Sequence, residues 1–282
     1  MPKKEKKDYN DKHHLRMAGE KKLNQWLEGI KSKWEKAPDF KVPQEKIKHL
    51  AIICDGNRRA AKQQGLNPYF GHRAGVETIQ GVARTCRNWG IKTLTFWVWS
   101  TENWEREEKQ VKYVMDLAAR FLADSQLWRE IVENKVKFTQ IGRRDRLPAK
   151  IKEALVSLEE ETKNFSDYRL NLAMDYGGLD EIGRAIAKII MVTHKSEDIL
   201  EKITKNPQLI FNYLDTAGQA LPDLVIRTGV SRGELPHTSG FLPLQSAYAC
   251  WSFLPIHFPN LSPQDLLLEI QNFLSYRRRF GR

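Results

Sequence analysis

The sequence predicts an α/β fold: one domain with a mostly parallel central sheet flanked by helices, preceded by a basic helical arm. Three observations carry that expectation. Short apolar, β-branched runs alternate with segments of helical period. Thr93 to Trp99 is apolar almost without a break, as a strand covered on both faces must be. The runs end in turns rich in glycine and charge, where ligands of parallel sheets bind.

In chain order, residues 1–19 read as a polar arm. Leu23, Trp26, Leu27, Ile30 and Trp34 then recur at helical spacing among Lys21, Lys22, Lys31 and Lys33. That describes a basic amphipathic helix, which can dock on the core or lie on a membrane surface. Pro38 and Pro43 end it, so residues 1–45 form the arm and 46–282 the main domain. The first strand is the run around Leu50 to Ile53, and beyond Gly75 the stripe Val76, Ile79, Val82, Ala83, Cys86 predicts a helix closed by Gly90. After the Thr93 to Trp99 strand, Val111, Val114, Met115, Ala118, Phe121 and Leu122 mark another helix. Further strands are expected at Val136 to Ile141, Leu170 to Met174 and Leu224 to Arg227. Helices carrying Ile151, Leu155 and Leu158, then Ile182, Ile186 and Ile189, separate them. Ser262-Pro263, an N-cap followed by proline, opens the last helix through Leu266, Ile270 and Phe273.

At 282 residues and 41% apolar, the chain can bury one substantial core without a second domain. No apolar stretch approaches the roughly 18 to 20 residues of a membrane span. The opening MPKKEKKDYNDKHH lacks the apolar centre of a secretory signal. The expected location is therefore the cytoplasm, with peripheral contact at the inner membrane face if the first helix binds lipid. Three scattered cysteines, Cys54, Cys86 and Cys250, make neither a disulfide framework nor a zinc site. The net charge of +11 is concentrated in residues 1–48, which hold 14 Lys/Arg against 8 Asp/Glu. Such a charge suits nucleic acid, anionic lipid or a small polyanion. With no helix-turn-helix, zinc-finger or RNA-recognition pattern in the arm, nucleic acid is not the expected partner.

Four strand-end loops carry the chemistry. At the first, Ile52-Ile53-Cys54-Asp55-Gly56-Asn57-Arg58-Arg59 breaks from strand into a turn and a short helix. Gly56 lets backbone approach a ligand, a helix start offers free N–H groups, and Arg58 and Arg59 suit phosphate oxygens. Asp55 beside them can hold Mg²⁺ bridging those oxygens. The second is Phe70-Gly71-His72-Arg73-Ala74-Gly75, leading into a helix; the third is Ser100-Thr101-Glu102-Asn103-Trp104-Glu105-Arg106; the fourth is Arg227-Thr228-Gly229. Each alone is an ordinary turn. Together at one sheet edge they describe a site for phosphorylated ligands.

These elements, with His49-Leu50-Ala51 before the first, Asn171 through Asp175-Tyr176-Gly177-Gly178, Asp223 to Gly229, and Arg279-Phe280-Gly281, occur in a fixed order that resembles the cis-prenyltransferases, the undecaprenyl diphosphate synthase family. The similarity runs from about His49 to Gly281. It implies an enzyme that joins isopentenyl diphosphate to an allylic diphosphate such as farnesyl diphosphate, giving a Z-polyprenyl diphosphate. It also implies a homodimer, with Asp55 binding Mg²⁺ and the turn Gly56, Asn57, Arg58, Arg59 gripping the allylic diphosphate. Asn57, His72, Ser100 and Asn103 are expected near the reacting carbons, and Trp104 and Arg106 at the substrate. Arg227 and Ser239 with a neighbouring base are expected on isopentenyl diphosphate, aided by Arg279 and Gly281 of the partner's tail. A growing hydrocarbon needs a dry tunnel, for which Val111 to Leu122 and Leu94 to Val98 supply candidate walls.

The sequence departs from the family's pattern in places. Val230 to Phe241 is longer than the family's run, so Arg232 and His237 compete as the second phosphate-binding base. Cys250 stands where a glutamate that helps bind magnesium is usual, and a thiol is a poor ligand for a hard cation. Glu234 in the longer loop is the expected substitute. Ala60 replaces a common tryptophan, and Pro68 a frequent basic residue. These departures motivate an alternative, a weak or inactive family member acting as a binding or regulatory subunit.

Overall fold

Every strand of the sheet runs parallel to its neighbours, so each connection between strands must cross over a face, and helices flank the sheet. The computed structural model describes residues 3–43, 46–193 and 198–276. In order, the elements are α1 (Lys3–Glu35), β1 (His49–Ile53), α2 (Asn57–Gln63), α3 (Phe70–Asn88), β2 (Thr93–Ser100), α4 (Glu108–Leu122), α5 (Ser125–Glu133) and β3 (Val136–Ile141). They continue with α6 (Ala149–Thr162), β4 (Tyr168–Tyr176), α7 (Gly178–Thr193), α8 (Asp198–Lys205), β5 (Leu224–Arg227), β6 (Cys250–Phe253) and α9 (Pro263–Ser275). The six-stranded sheet has the order β3-β4-β2-β1-β5-β6. The chain leaves β1 to one side for β2 and returns to its other side for β5. The crevice beyond the end of β1 is therefore the switch point at which open α/β sheets bind ligands.

Side-chain alternation along β1 divides the core. Leu50 and Ile52 face a large cluster under α1, α3, α4, α6 and α9. Ala51 and Ile53 face a smaller one with Trp97, Ala173, Val225 and Phe241. The expected final helix begins as predicted, with the Ser262 hydroxyl accepting the Asp265 N–H at 3.1 Å.

The structure departs from the sequence expectations in places and decides between two of them. The chain is helical from Lys3, so the segment read as a polar arm is the beginning of α1. Of the two roles expected for the apolar stripe of α1, docking is the one seen: Leu27, Ile30 and Trp34 are buried in the main core, and Leu23 and Trp26 pack against it. α1 thus shares the core of the main domain. Gly81 on α3 makes this docking possible, because a Cβ there would stand 2.1 Å from the Trp34 Cγ. Finally, α5, α8 and β6 were not anticipated, and α3 starts at Phe70, which puts His72 and Arg73 inside its first turn.

Candidate active site

The parallel sheet delivers β1, β2 and β5 side by side, with Ile53 opposite Trp97 and Arg227. The polar residues that follow these strands therefore meet at one rim. After β1 the chain must turn sharply, and Gly56 takes φ +94°, a left-handed value that a side chain opposes. This turn points the Gly56 N–H at its neighbour, the Asp55 Oδ1, at 2.5 Å. Asn57 opens α2 and donates from Nδ2 to the Cys54 carbonyl at 2.7 Å, while its Oδ1 is buried without a partner. The first turn of α3 crosses here so closely that a Cβ on Gly71 would lie 1.8 Å from the Asn57 carbonyl oxygen. Two of the four predicted loops are thus one packed unit.

Asp55 sits between two guanidinium groups. Arg59 donates from Nη2 to Oδ1 at 3.1 Å, and Arg227 from Nη2 to Oδ2 at 3.3 Å. The Thr228 hydroxyl clamps the backbone beneath, accepting the Asp55 N–H at 3.1 Å and donating to the Asp55 carbonyl at 2.9 Å. Arg227 is only 8% exposed, and its Nη1 donates to the His237 carbonyl and to the Ser239 Oγ, both at 2.7 Å. Its Nε is buried and unpartnered. The longer loop therefore returns His237 and Ser239 to Arg227, with the His237 Nδ1 3.0 Å from the Ser239 Oγ.

Beyond β2, Ser100 and Asn103 close a reciprocal cap: the Asn103 Nδ2 donates to the Ser100 Oγ at 2.7 Å, and the Ser100 N–H to the Asn103 Oδ1 at 3.3 Å. Arg106 lies over the Trp99 ring at 5.6 Å. The loops after β1, β2 and β5 surround one open cavity of about 620 Å³, into which Asp55, Arg58, Arg59, Ser100, Arg106 and Arg227 face. Asn57, Asn103, Gly56 and Ser239 complete its lining.

A second, apolar cavity of about 80 Å³ lies beneath, walled by α3, α4, β2 and β4 through residues such as Val98, Val114, Phe121 and Met174. Cys54, Asn57, Val98 and Trp99 belong to both cavities and form the partition. His72 faces the apolar side, its Nε2 buried without a partner. Burial, helped by the nearby Arg106 and Arg58 charges, pushes its pKa down to about 4, so the ring is neutral near pH 7. The expected walls of a dry tunnel are thus present, with α3 added.

Some expected residues fall elsewhere. Trp104 does not line the polar cavity, because its indole N–H is held by the Asp175 Oδ1 at 2.9 Å. Neither Arg232 nor His237 lines the cavity and both are exposed, but His237 is the base that the fold brings to Arg227, whose Nη1 donates to its carbonyl. Glu234 caps that same turn, accepting the Ser231 N–H at 3.0 Å. Cys250 opens β6 opposite Leu224, three residues before the rim pair Arg227 and Phe253, and is not among the residues that line the cavity around Asp55. Arg279 and Gly281 lie outside the described residues. Sequence reasoning missed Lys62 and gave Thr228 and Glu102 no role of their own. Lys62 and Glu102 line the cavity, and Lys62, one helical turn after Arg58, carried a signal that spacing alone reveals.

Asp55 can serve a divalent ion only with help. Among the described residues there is no group of three or more His, Cys, Asp or Glu that could hold a metal. One carboxylate at an open, arginine-lined rim fits an ion that takes its remaining ligands from substrate phosphates and water, as Mg²⁺ commonly does.

Comparison with known proteins agrees with this geometry. The Prenyltransf family model, for undecaprenyl diphosphate synthase, matches residues 53–281. An isoprenyl transferase of Streptococcus pneumoniae is 39% identical over 259 residues, covering 88% of this chain and 97% of that protein. The tritrans,polycis-undecaprenyl-diphosphate synthase (geranylgeranyl-diphosphate specific) of Thermococcus kodakarensis is 34% identical over 258 residues, covering 88% and 90%. Among solved structures, lavandulyl diphosphate synthase from Lavandula x intermedia, in complex with dimethylallyl diphosphate, superposes with a TM-score of 0.76 at 28% identity, covering 84% of this chain and 99% of that one. Matched over most of its length in sequence and in fold, and with the motif residues gathered at one rim, the chain belongs to the undecaprenyl diphosphate synthase family of prenyltransferases.

Proposed function

We propose that this prenyltransferase joins isopentenyl diphosphate to an allylic diphosphate and extends the product in cis, with Mg²⁺ bound at Asp55. One observation carries the reading: a cavity lined by Arg58, Arg59, Arg106 and Arg227 shares a wall with an apolar cavity, which suits an amphiphile with a diphosphate head and a hydrocarbon tail. The Gly56 turn with Arg58 and Arg59 takes the allylic diphosphate, and Ser100, Asn103 and Arg106 close over it. Arg227, Ser239 and His237 take isopentenyl diphosphate.

The allylic carbon–oxygen bond breaks with its electrons leaving on the diphosphate, and the guanidinium groups and turn N–H stabilise that charge as it develops. The isopentenyl double bond then supplies the pair for the new carbon–carbon bond, and a proton leaves the adjacent carbon, for which the departing diphosphate is the base at hand. Neutral His72 and the free Asn57 Oδ1 border the reacting carbons at the mouth of the dry cavity without adding a positive charge that would oppose ionisation. Asp55 would hold the Mg²⁺, which when bound would further neutralise the leaving group.

The homodimer expectation draws support from α7, where Leu179, Ile186 and Ile190 share one stripe and are 85%, 48% and 51% exposed, with Tyr248 nearby in sequence to β6 at 83%. No helix among the described residues is long and apolar enough to cross a membrane.

Incubating the purified full chain with labelled isopentenyl diphosphate, farnesyl diphosphate and Mg²⁺ tests the reading. A ladder of lipids differing by five carbons is expected. Absence of any extended lipid with allylic starters of several lengths would overturn it.

A further inference from the structure

Asp175 is an uneconomical residue for its place. It is fully buried next to the end of β4 and holds φ +53°, a left-handed backbone conformation uncommon for residues with a side chain. A buried carboxylate must also find charged or polar partners. Asp175 finds them on two loops that are distant from each other in sequence. Arg146, between β3 and α6, donates Nε to Oδ2 at 2.9 Å and also bonds Oδ1 through Nη2. Trp104, between β2 and α4, donates its indole N–H to Oδ1 at 2.9 Å.

The contacts continue toward the polar cavity. The Arg146 guanidinium lies 5.8 Å over the Trp104 ring, Trp104 packs edge-on against Trp99 at 5.7 Å, and Arg106 covers the other contact of Trp99 at 5.6 Å. Asn103 precedes Trp104 directly and is capped to Ser100. Fixing Trp104 therefore fixes a short segment with Asn103 on one side and Arg106 on the other, both facing the cavity.

We propose that Asp175, through Arg146 and Trp104, is a positioning residue for the allylic half of the reaction: it clamps the Ser100–Arg106 segment over the cationic cavity. The clamp acts through other residues and touches no substrate. It rests on the functional reading above for its kinetic consequence, although not for its mechanical one. The isopentenyl side, held by Arg227 and Ser239 after β5, takes no bond from the clamp.

The test uses the full chain with Trp104→Phe, Arg146→Gln and Asp175→Asn. Trp104→Phe keeps a ring against Trp99 and removes only the N–H donor, so it decides the matter if Asp175→Asn fails to fold. Two readouts are taken: hydrogen exchange of residues 100–107, and steady-state kinetics with each substrate varied in turn. Expected are faster exchange in that segment and a loss of roughly tenfold to a hundredfold in kcat/KM for the allylic diphosphate, the scale of a misplaced binding group. KM for isopentenyl diphosphate should stay within about twofold. Trp104→Phe and Arg146→Gln should combine less than additively, because both act through one carboxylate. Unchanged exchange in residues 100–107 would overturn the clamp. So would a fall in kcat alone that tracks lost folded protein with both KM values unchanged. If the wild-type chain makes no prenyl product while exchange rises in the variants, the clamp stands and the functional reading falls.

Discussion

Asp55→Asn separates a catalytic role from a structural one, because the geometry makes the two effects very different in size. The Asp55 side chain is 38% exposed, and its Arg59 partner 41%. A pair that open to water contributes about 0.2 to 1 kcal/mol. Arg227 is more buried, its side chain 10% exposed, yet it keeps the His237 carbonyl and the Ser239 hydroxyl when the carboxylate is lost. Asparagine also retains an acceptor for the Gly56 N–H. The stability loss is therefore about 1 to 2 kcal/mol, or a few degrees in Tm for a chain of this size. Removing the anchor of a metal that stabilises a diphosphate leaving group costs several kcal/mol in the transition state, and each 1.36 kcal/mol is tenfold in rate. A fall in kcat of about a thousandfold or more is expected, with a cooperative unfolding transition close to that of the wild type. The assay is incorporation of labelled isopentenyl diphosphate, run beside thermal denaturation. Chelation should silence the wild type, and added Mg²⁺ should restore it. Turnover within tenfold of wild type would remove Asp55 from the metal site, and a stability loss beyond about 4 kcal/mol would make it a structural brace instead.

Other expectations follow from particular contacts. Arg227→Lys replaces a fork that spans His237, Ser239 and Asp55 with a single ammonium, so KM for isopentenyl diphosphate should rise about tenfold to a hundredfold while the allylic KM holds; equal changes in both would refute the assignment. His49 is wholly buried between the Ala220 carbonyl and Thr95, and its pKa, like that of His72, lies near 4 rather than 6.5. The unfolded chain binds protons that the folded chain refuses, so stability is complete above about pH 6.5 and is lost as pH falls toward 4, on the order of 3 kcal/mol for His49. Urea titrations at pH 7 and 4.5 read this directly, and His49→Asn should flatten the difference. Trp34→Ala should cost about 3 to 5 kcal/mol by emptying the seat against Gly81, with both KM values unchanged in the folded enzyme; a neutral Tm would show that α1 does not dock. Cys250→Ser should leave chelator sensitivity as it is, since the thiol lies opposite Leu224 and not at the rim; altered Mg²⁺ dependence would contradict that register.

What could be read in advance depended on how local the signal was. The ends of β1, β2 and β5 announce themselves because an apolar run stops at a turn of glycine and charge. Parallel pairing then brings those ends together without further information. The register of the longer loop was not readable: whether Arg232 or His237 approaches Arg227 depends on a backbone path set by hydrogen bonds to Arg227 itself. The same holds for Cys250, whose place three residues from the rim is a property of strand alignment and not of spacing along the chain. Trp104 was misassigned for a related reason. Its neighbours Asn103 and Arg106 do face the cavity, but a buried carboxylate about seventy residues away claims its N–H. The stripe on α1 was correctly seen as apolar. Its partner, a glycine on α3 that leaves room for an indole, has no signature in the stripe itself.

The central position of β1 has a consequence for how the molecule is made. β1 pairs with β2, made soon after it, and with β5, which is among the last strands to be synthesised. At about 5 to 20 residues per second, a ribosome reaches Leu224 roughly ten to thirty seconds after Ile53. For that interval the nascent chain exposes one edge of its innermost strand, with every N–H and carbonyl on that side open to an intruding chain. Overexpression that crowds such incomplete chains together should yield aggregates built on β1.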